Sequence, residues 1–349
     1  MAGDGIDRRS FLKKAGAFTA AGAAALSLEE KMLLAHAQDQ PPQGRGFGGR
    51  GQPPAPDVPG PIPTGKLGKL TVTRLIAGHN LVGLQAHSRD LIYTSQLLRA
   101  YFTDDKVLET YQKYEENGIN TSMLRIEARS VALAKRYMKE RGGKLQWMAQ
   151  LVVNEEDQTH DLEIAAEAGV VAAHVRGLEG DSLFKADRMD VIAKTLENIR
   201  KAGMVAGLAT HALDPLIAAE KMGLNADYYM KTFNSARYWS AGPPAVQDPN
   251  WKPTKQQLVQ SEYAPATHDN IWETTPRQTA EFFAKINKPF VAYKVLAAGA
   301  IHPRDGFKYA FEKGADFVIA GMYDFQLKDS TNLAKGILAG KLDRARAWC

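Results

Sequence analysis

Cysteine is nearly absent: the 349 residues include one, Cys349, and it is the last. One thiol excludes an intrachain disulfide and a Cys-rich zinc site. Its place at the very end reads as a mobile terminus rather than a buried catalytic nucleophile. Long apolar runs are missing as well. No stretch approaches the ~18 consecutive apolar residues that a spanning helix needs, so the mature chain is expected to have no membrane span. Blocks of one charge are also missing. Lys and Arg number 44 against 39 Asp and Glu, a net +5 with no basic run suited to nucleic acid. What remains, 44% hydrophobic and 24% charged, is the composition of a globular protein. Its length allows two ordinary domains or one large barrel.

The N-terminal region reads as address and tether. Asp7-Arg8-Arg9-Ser10-Phe11-Leu12-Lys13 resembles the twin-arginine export consensus. The apolar stretch Ala15–Leu28 is too short to span a bilayer, and Ala35-His36-Ala37 offers a cleavage site before Gln38. Residues 1–37 are therefore expected to be a twin-arginine signal peptide. The translocation machinery would be its partner, and the periplasm or the extracellular space its destination. Glu29, Glu30 and Lys31 keep open the alternative of a cytoplasmic amphipathic helix. Residues 41–63 contain eight prolines and six glycines, too little apolar surface to offset the entropy of ordering, so 38–65 is expected to be a disordered linker.

From Lys66 onward, strand-like and helix-like segments alternate. Short apolar runs bounded by turn residues, the pattern of strands buried on both faces, lie at 70–78, 119–126, 145–153, 169–175, 204–210, 227–233, 289–296 and 316–322. Helical patterns separate them at 104–117, 129–141, 155–167, 186–202, 214–223, 276–286, 304–313 and 330–340. Asp214-Pro215 and Thr275-Pro276 open helices with proline in the first turn, and glycines such as Gly118, Gly169 and Gly203 close others. Eight such units predict an α/β fold: a single-domain (β/α)₈ TIM barrel over 66–349. Two spacers are long, 80–103 after strand one and 234–275 after strand six. Loops of that length are usually functional.

Barrel enzymes work at the C-terminal ends of their strands, and here those ends are polar. They carry His79 and Asn80; Arg125 and Glu127; Gln150; His174 and Arg176; His211; Lys231 and Asn234; Lys294; and Asp324. Alternation can point Lys231 and Lys294 inward together, where two ammonium groups would depress each other's pKa and free an amine for a carbonyl. Each lysine can instead bind a substrate oxygen or pair with Glu127 or Asp324. His174 and His211 are acid–base candidates, with Glu127 alongside. His79, Glu127, His174 and His211 make an alternative metal set. His79, Asn80, Arg125, Gln150, Arg176, Asn234, Trp239 and Asp324 are candidates for holding substrate. Gly299 and Gly321 offer backbone N–H groups to an anion after strands seven and eight. The spacer after strand six contains Tyr238, Trp239, Trp251, Tyr263 and Trp272, flat faces suited to sugar rings.

Two family resemblances follow from short motifs. Lys231-Thr232 and Lys294-Val295-Leu296-Ala297-Ala298-Gly299 resemble the lysine motifs of deoxyribose-phosphate-type class I aldolases, which implies a Schiff base on one lysine. Leu70–Gly78 and Glu116-Asn117-Gly118-Ile119-Asn120 resemble the opening strand and the approach to strand two of the aldo/keto reductases. That family continues with an aspartate and then a catalytic tyrosine. Here Thr121-Ser122-Met123-Leu124-Arg125-Ile126-Glu127 follows, with neither. The leading expectation is an exported lyase or isomerase acting on a small polyhydroxylated or carbonyl compound, requiring no particular cofactor. The alternatives are an NAD(P)-dependent oxidoreductase of reductase type, a divalent-metal hydrolase and a non-catalytic sugar-binding barrel.

Overall fold

A computed structural model describes residues 54–85, 93–235, 258–261, 264–268, 273 and 275–349. The signal sequence, the first part of the linker and all five aromatic residues of the long spacer, Trp239 included, lie outside the described residues.

Twelve strands and ten α-helices are described. An antiparallel hairpin, β1 (Thr64–Leu67) and β2 (Leu70–Thr73), turns at Gly68, whose φ of 55° is the left-handed backbone that glycine adopts most readily. The barrel strands follow: β3 (Leu75–Ala77), β4 (Thr121–Arg125), β5 (Gln146–Leu151), β6 (Ala172–Val175), β7 (Val205–Thr210), β8 (Tyr228–Thr232), β11 (Phe290–Tyr293) and β12 (Phe317–Ala320). They close in the order β11-β12-β3-β4-β5-β6-β7-β8, parallel throughout. A second antiparallel hairpin, β9 (Leu258–Ser261) and β10 (Ala264–His268), lies in the long insertion after strand six. The helices are α1 (Thr94–Tyr101), α2 (Asp104–Glu116), α3 (Ala128–Arg141), α4 (His160–Glu167), α5 (Gly177–Lys185), α6 (Met189–Lys201), α7 (Asp214–Lys221), α8 (Pro276–Phe283), α9 (Pro303–Glu312) and α10 (Leu327–Ala339). This is the single (β/α)₈ domain expected, with its insertion after strand six.

Two hydrophobic clusters show which way each strand faces. Ile76, Met123, Met148, Ala172, Ala209, Met230, Val291 and Ile319 pack inside the barrel together with Leu67 and Val72 of the hairpin, which plugs the N-terminal end. The alternate residues, such as Leu124, Ala149, Tyr229 and Ala292, belong to the larger core beneath the helices. Strand parity therefore fixes which polar residues reach the mouth.

Three expectations need correction. The strand expected at 70–78 divides at Arg74 into a hairpin strand and a barrel strand, and the buried Arg74 donates to the Asp316 carbonyl at 2.8 Å. The linker is ordered in its last part. Residues 54–63 are bound to α10, with the Ala55 amide donating to Asp329, the Val58 amide to Asn332 Oδ1, and Asp57 accepting from Lys328. Cys349 is not a mobile end. Its amide donates to the buried Asp316 carboxylate at 3.0 Å, which also accepts from Arg344 and Arg346, and Trp348 is sandwiched between Arg74 and Arg344. These bonds hold the C-terminal tail against the N-terminal end of the barrel.

Candidate active site

Counting parity from the inward apolar set, Arg125, Gln150, His174, His211, Thr232 and Tyr293 turn toward the barrel interior at the strand ends. Arg125 is paired in register with Gln150, and Gln150 with His174.

His174 lies beneath the mouth and has no exposure. Its Nδ1 is 3.0 Å from the Tyr228 hydroxyl. Tyr228 reaches it across Gly207, where a Cβ would stand 2.2 Å from Cζ of the phenol ring. Only glycine leaves room for that crossing. Burial alone pushes the His174 pKa down to about 3, so the ring is neutral and its Nε2 is a buried atom without a partner among the described residues.

His211 follows the end of β7 and is held by a carboxylate. Its Nδ1 is 2.7 Å from Oδ2 of Asp181 on α5. The same carboxylate accepts the backbone amides of His211 at 3.0 Å and Ala212 at 3.1 Å, so Asp181 is fixed by the turn that it orients. Nδ1 thus carries the proton, and Nε2 has no partner among the described residues. Burial lowers the His211 pKa to about 4; Lys294 lowers it further and Asp181 partly opposes both. Tyr293 lies beside it, ring centroids 5.7 Å apart. A Cβ at Gly177 would come within 2.6 Å of the Tyr293 hydroxyl and 2.9 Å of His211 Cε1, so the bare α5 start lets these groups converge. The Tyr293 hydroxyl donates to the Thr210 carbonyl at 3.1 Å, and burial holds its pKa well above the ordinary value.

The two lysines do not form the pair expected. Met230 and Thr232 face inward, so Lys231 between them faces out. It is fully buried against Glu273 of the insertion, Nζ to Oε2 at 2.7 Å, and it also donates to the Thr232 carbonyl. Glu273 in turn accepts the Thr275 amide at 2.8 Å at the start of α8. Lys231 thus ties the returning end of the insertion to strand six, on the far side of the strand from the mouth. Lys294 follows Tyr293 with φ of 58°, and its Nζ lies 5.8 Å from the Tyr293 ring centroid. It is near enough to His211 to lower its pKa.

Arg125 is bound by Glu127 at 2.9 Å and by Gln85, whose amide also donates to Glu127. Arg176 is bound through Nε to Glu179 at 2.6 Å. Asn234 donates to the Lys294 carbonyl, bridging strands six and seven. The other candidates lie away from this group. His79 turns outward against Ser130 of α3, Nε2 to Oγ 3.0 Å. Asn80 is in the turn after β3, its carbonyl accepting from the Gln85 amide. Asp324 joins α2 through Lys106 and Lys113, and it accepts from Tyr101 of α1. Gly321 packs its backbone against Gly78, and Gly299 faces open space at φ of 90°. No group of three or more His, Cys, Asp or Glu suited to a metal forms among the described residues, because His79, His174 and His211 have separate surroundings. Asp181, Tyr228, Glu273 and Tyr293 are the important residues absent from the sequence-based set.

The arrangement is a barrel with a part-buried His–Asp pair at its C-terminal mouth, and comparison with known structures places the fold more narrowly. No protein-family profile matches the chain, and no curated protein matches it in sequence. Among solved structures, it is similar to a Pseudomonas aeruginosa protein assigned to the aldo-keto reductases, with 16% identity and a TM-score of 0.52 over 79% of this chain and 96% of that one. An aldo/keto reductase from Brucella melitensis gives 9% identity and 0.51 over 80% and 100%. The fold is aldo/keto reductase-like. This finding overturns the lyase or isomerase class: the structural neighbours are oxidoreductases, and they favour the oxidoreductase alternative. The outward burial of Lys231 removes the lysine pair that had motivated the earlier class.

Proposed function

We propose that this chain is an oxidoreductase that oxidises a carbon-bound hydroxyl group of a small polyhydroxylated substrate to a carbonyl, the hydroxyl proton passing to His211 and the hydride leaving from the same carbon. The observation that carries this reading is the Asp181–His211 pair. A ring kept neutral at neutral pH, with its Nδ1–H given to a carboxylate and its Nε2 without a partner among the described residues, can take up a hydroxyl proton at Nε2 as that proton leaves. Asp181 holds the tautomer, and it stabilises the imidazolium formed when the hydroxyl proton arrives. The Lys294 ammonium at the same mouth stabilises negative charge developing on the substrate oxygen. His211 in this way takes the part played by a tyrosine in the reductases that the sequence resembles.

A nicotinamide dinucleotide is the hydride carrier implied by that resemblance, and the turn after strand seven suits one. Leu296 at φ of −97° is followed by Ala297 at 44° and Ala298 at 55°. The Ala297, Gly299, Ala300 and Ile301 amides of this turn already donate to backbone carbonyls, which leaves the Leu296 and Ala298 N–H groups without a partner among the described residues and able to meet an anion. Non-glycine residues held left-handed cost about 1–2 kcal/mol each, and here they sit beside a lysine. Tyr293 and Lys294–Gly299 would hold the dinucleotide, which when bound would accept the hydride. The test is to titrate the full chain with NAD⁺ and NADP⁺ and then add a polyol panel. Saturable binding and substrate-dependent nucleotide reduction are expected; no binding of either nucleotide together with no turnover would overturn the reading.

We also propose export through the twin-arginine route. Changing Arg8→Lys together with Arg9→Lys should retain the protein in the cytoplasm on cell fractionation, and unimpaired export would sink the idea.

A further inference from the structure

We propose that the substrate is an anionic hydroxy acid, its carboxylate seated on Arg125, Gln150 and Arg176 while its hydroxyl faces His211. This inference deepens the dehydrogenase reading and rests on it for the hydroxyl. The three residues occupy inward positions on consecutive strands two, three and four, with Arg176 one step past the end of β6. Both guanidinium groups are part-buried, at 23% and 22% side-chain exposure, and their unpaired donors face the open mouth. Glutamates steer them without using all their donors. Arg125 gives its two terminal nitrogens to Gln85 and Glu127, and Arg176 gives Nε and one terminal nitrogen to Glu179. The Arg125 Nε and the second terminal nitrogen of Arg176 have no partner among the described residues. Gln150 between them, half-buried, has none either.

Burial lowers the Arg125 pKa and the Arg176 charge adds to this, while Glu127, Glu179 and Asp161 oppose it. An arriving carboxylate competes with these glutamates for the guanidinium groups, and the planar guanidinium fork suits it better than a lysine does. The seat adjoins the base: Gly177 follows Arg176, and a Cβ there would meet both Tyr293 and His211. A carboxylate here therefore places a nearby carbon-bound hydroxyl toward His211. This is the geometry of a short hydroxy acid or of a sugar acid.

The test is calorimetric binding to the full chain with matched pairs: glycerate against glycerol, and gluconate against sorbitol. Each acid should bind about tenfold or more tightly than its neutral partner. Arg125→Gln and Arg176→Gln should each remove that preference, weakening the acids far more than the neutral ligands. Arg125→Lys, which keeps the charge and is the safer fold, should lose part of it. Glu127→Gln should strengthen acid binding, because it withdraws a competing carboxylate. Equal affinity for acid and alcohol, or an acid preference that survives the arginine variants, would overturn the proposal. Acid binding without nucleotide-linked turnover would leave the seat standing and remove the dehydrogenase reading. Turnover of polyols with no acid preference would do the reverse.

Discussion

Replacing His211 with alanine lowers kcat for hydroxyl oxidation by about three orders of magnitude, within the range that a positioned general base contributes. The pH dependence separates this base role from a structural one. His211 must be unprotonated to act, and its pKa is held at about 4. Activity per folded molecule should therefore rise through about pH 4 and be level from there to neutrality. A free histidine would instead give a limb near 6.5. The neighbours shift the limb in opposite directions. Lys294 lowers the pKa, so Lys294→Gln should move the acidic limb upward. Asp181 raises it, so Asp181→Asn should move the limb downward, and the plateau should also fall because the tautomer is no longer fixed. A limb near 6.5 in the unaltered protein, or one that Lys294→Gln leaves in place, would exclude His211 as the base.

Much of the barrel was legible because parallel strands buried on both faces must be apolar, and their ends must carry turn residues. The elements that escaped notice have specific causes. Helix α5 begins Gly177-Leu178-Glu179-Gly180-Asp181, and two glycines in one turn argue against a helix. The structure needs both. A Cβ at Gly180 would stand 2.4 Å from the Ala209 carbonyl, so only a bare backbone lets α5 pack on β7 and bring Asp181 to His211. Glu273 was illegible for another reason: its partner Lys231 lies across the whole insertion, and no local spacing connects them. The lysine pairing, by contrast, could have been rejected from sequence. Tyr228, Met230 and Thr232 share one parity and Lys231 has the other, so a strand with Met230 inside must turn Lys231 outside. Lys294 escapes parity because its left-handed φ re-aims the chain after Tyr293. The bare strand pattern carries no sign of that.

Acidification from pH 7 to pH 5 should destabilise the fold by about 6 kcal/mol, a large part of the roughly 5–15 kcal/mol typical of native proteins. The cause is three rings kept neutral inside. Burial is the main reason that the pKa values of His79 and His174 fall to about 3 and that of His211 to about 4. In the unfolded chain each returns to about 6.5. Between those values the unfolded state binds more protons, so stability is complete above about pH 6.5 and is lost as pH falls toward the folded values. At pH 5 each ring accounts for about 2 kcal/mol. Burial raises the pKa of Asp161 and Asp316, and these groups work in the opposite sense at the acidic end of the window. Urea midpoints at pH 7, 6 and 5 measure the slope, and a midpoint unchanged across that span would refute the account. The His211→Ala variant provides an internal check. It removes one of the three rings, so its stability should fall about two-thirds as steeply with pH. If the slope stays at its full value, His211 is not one of the groups that acid must charge, and its role as a neutral base is lost as well.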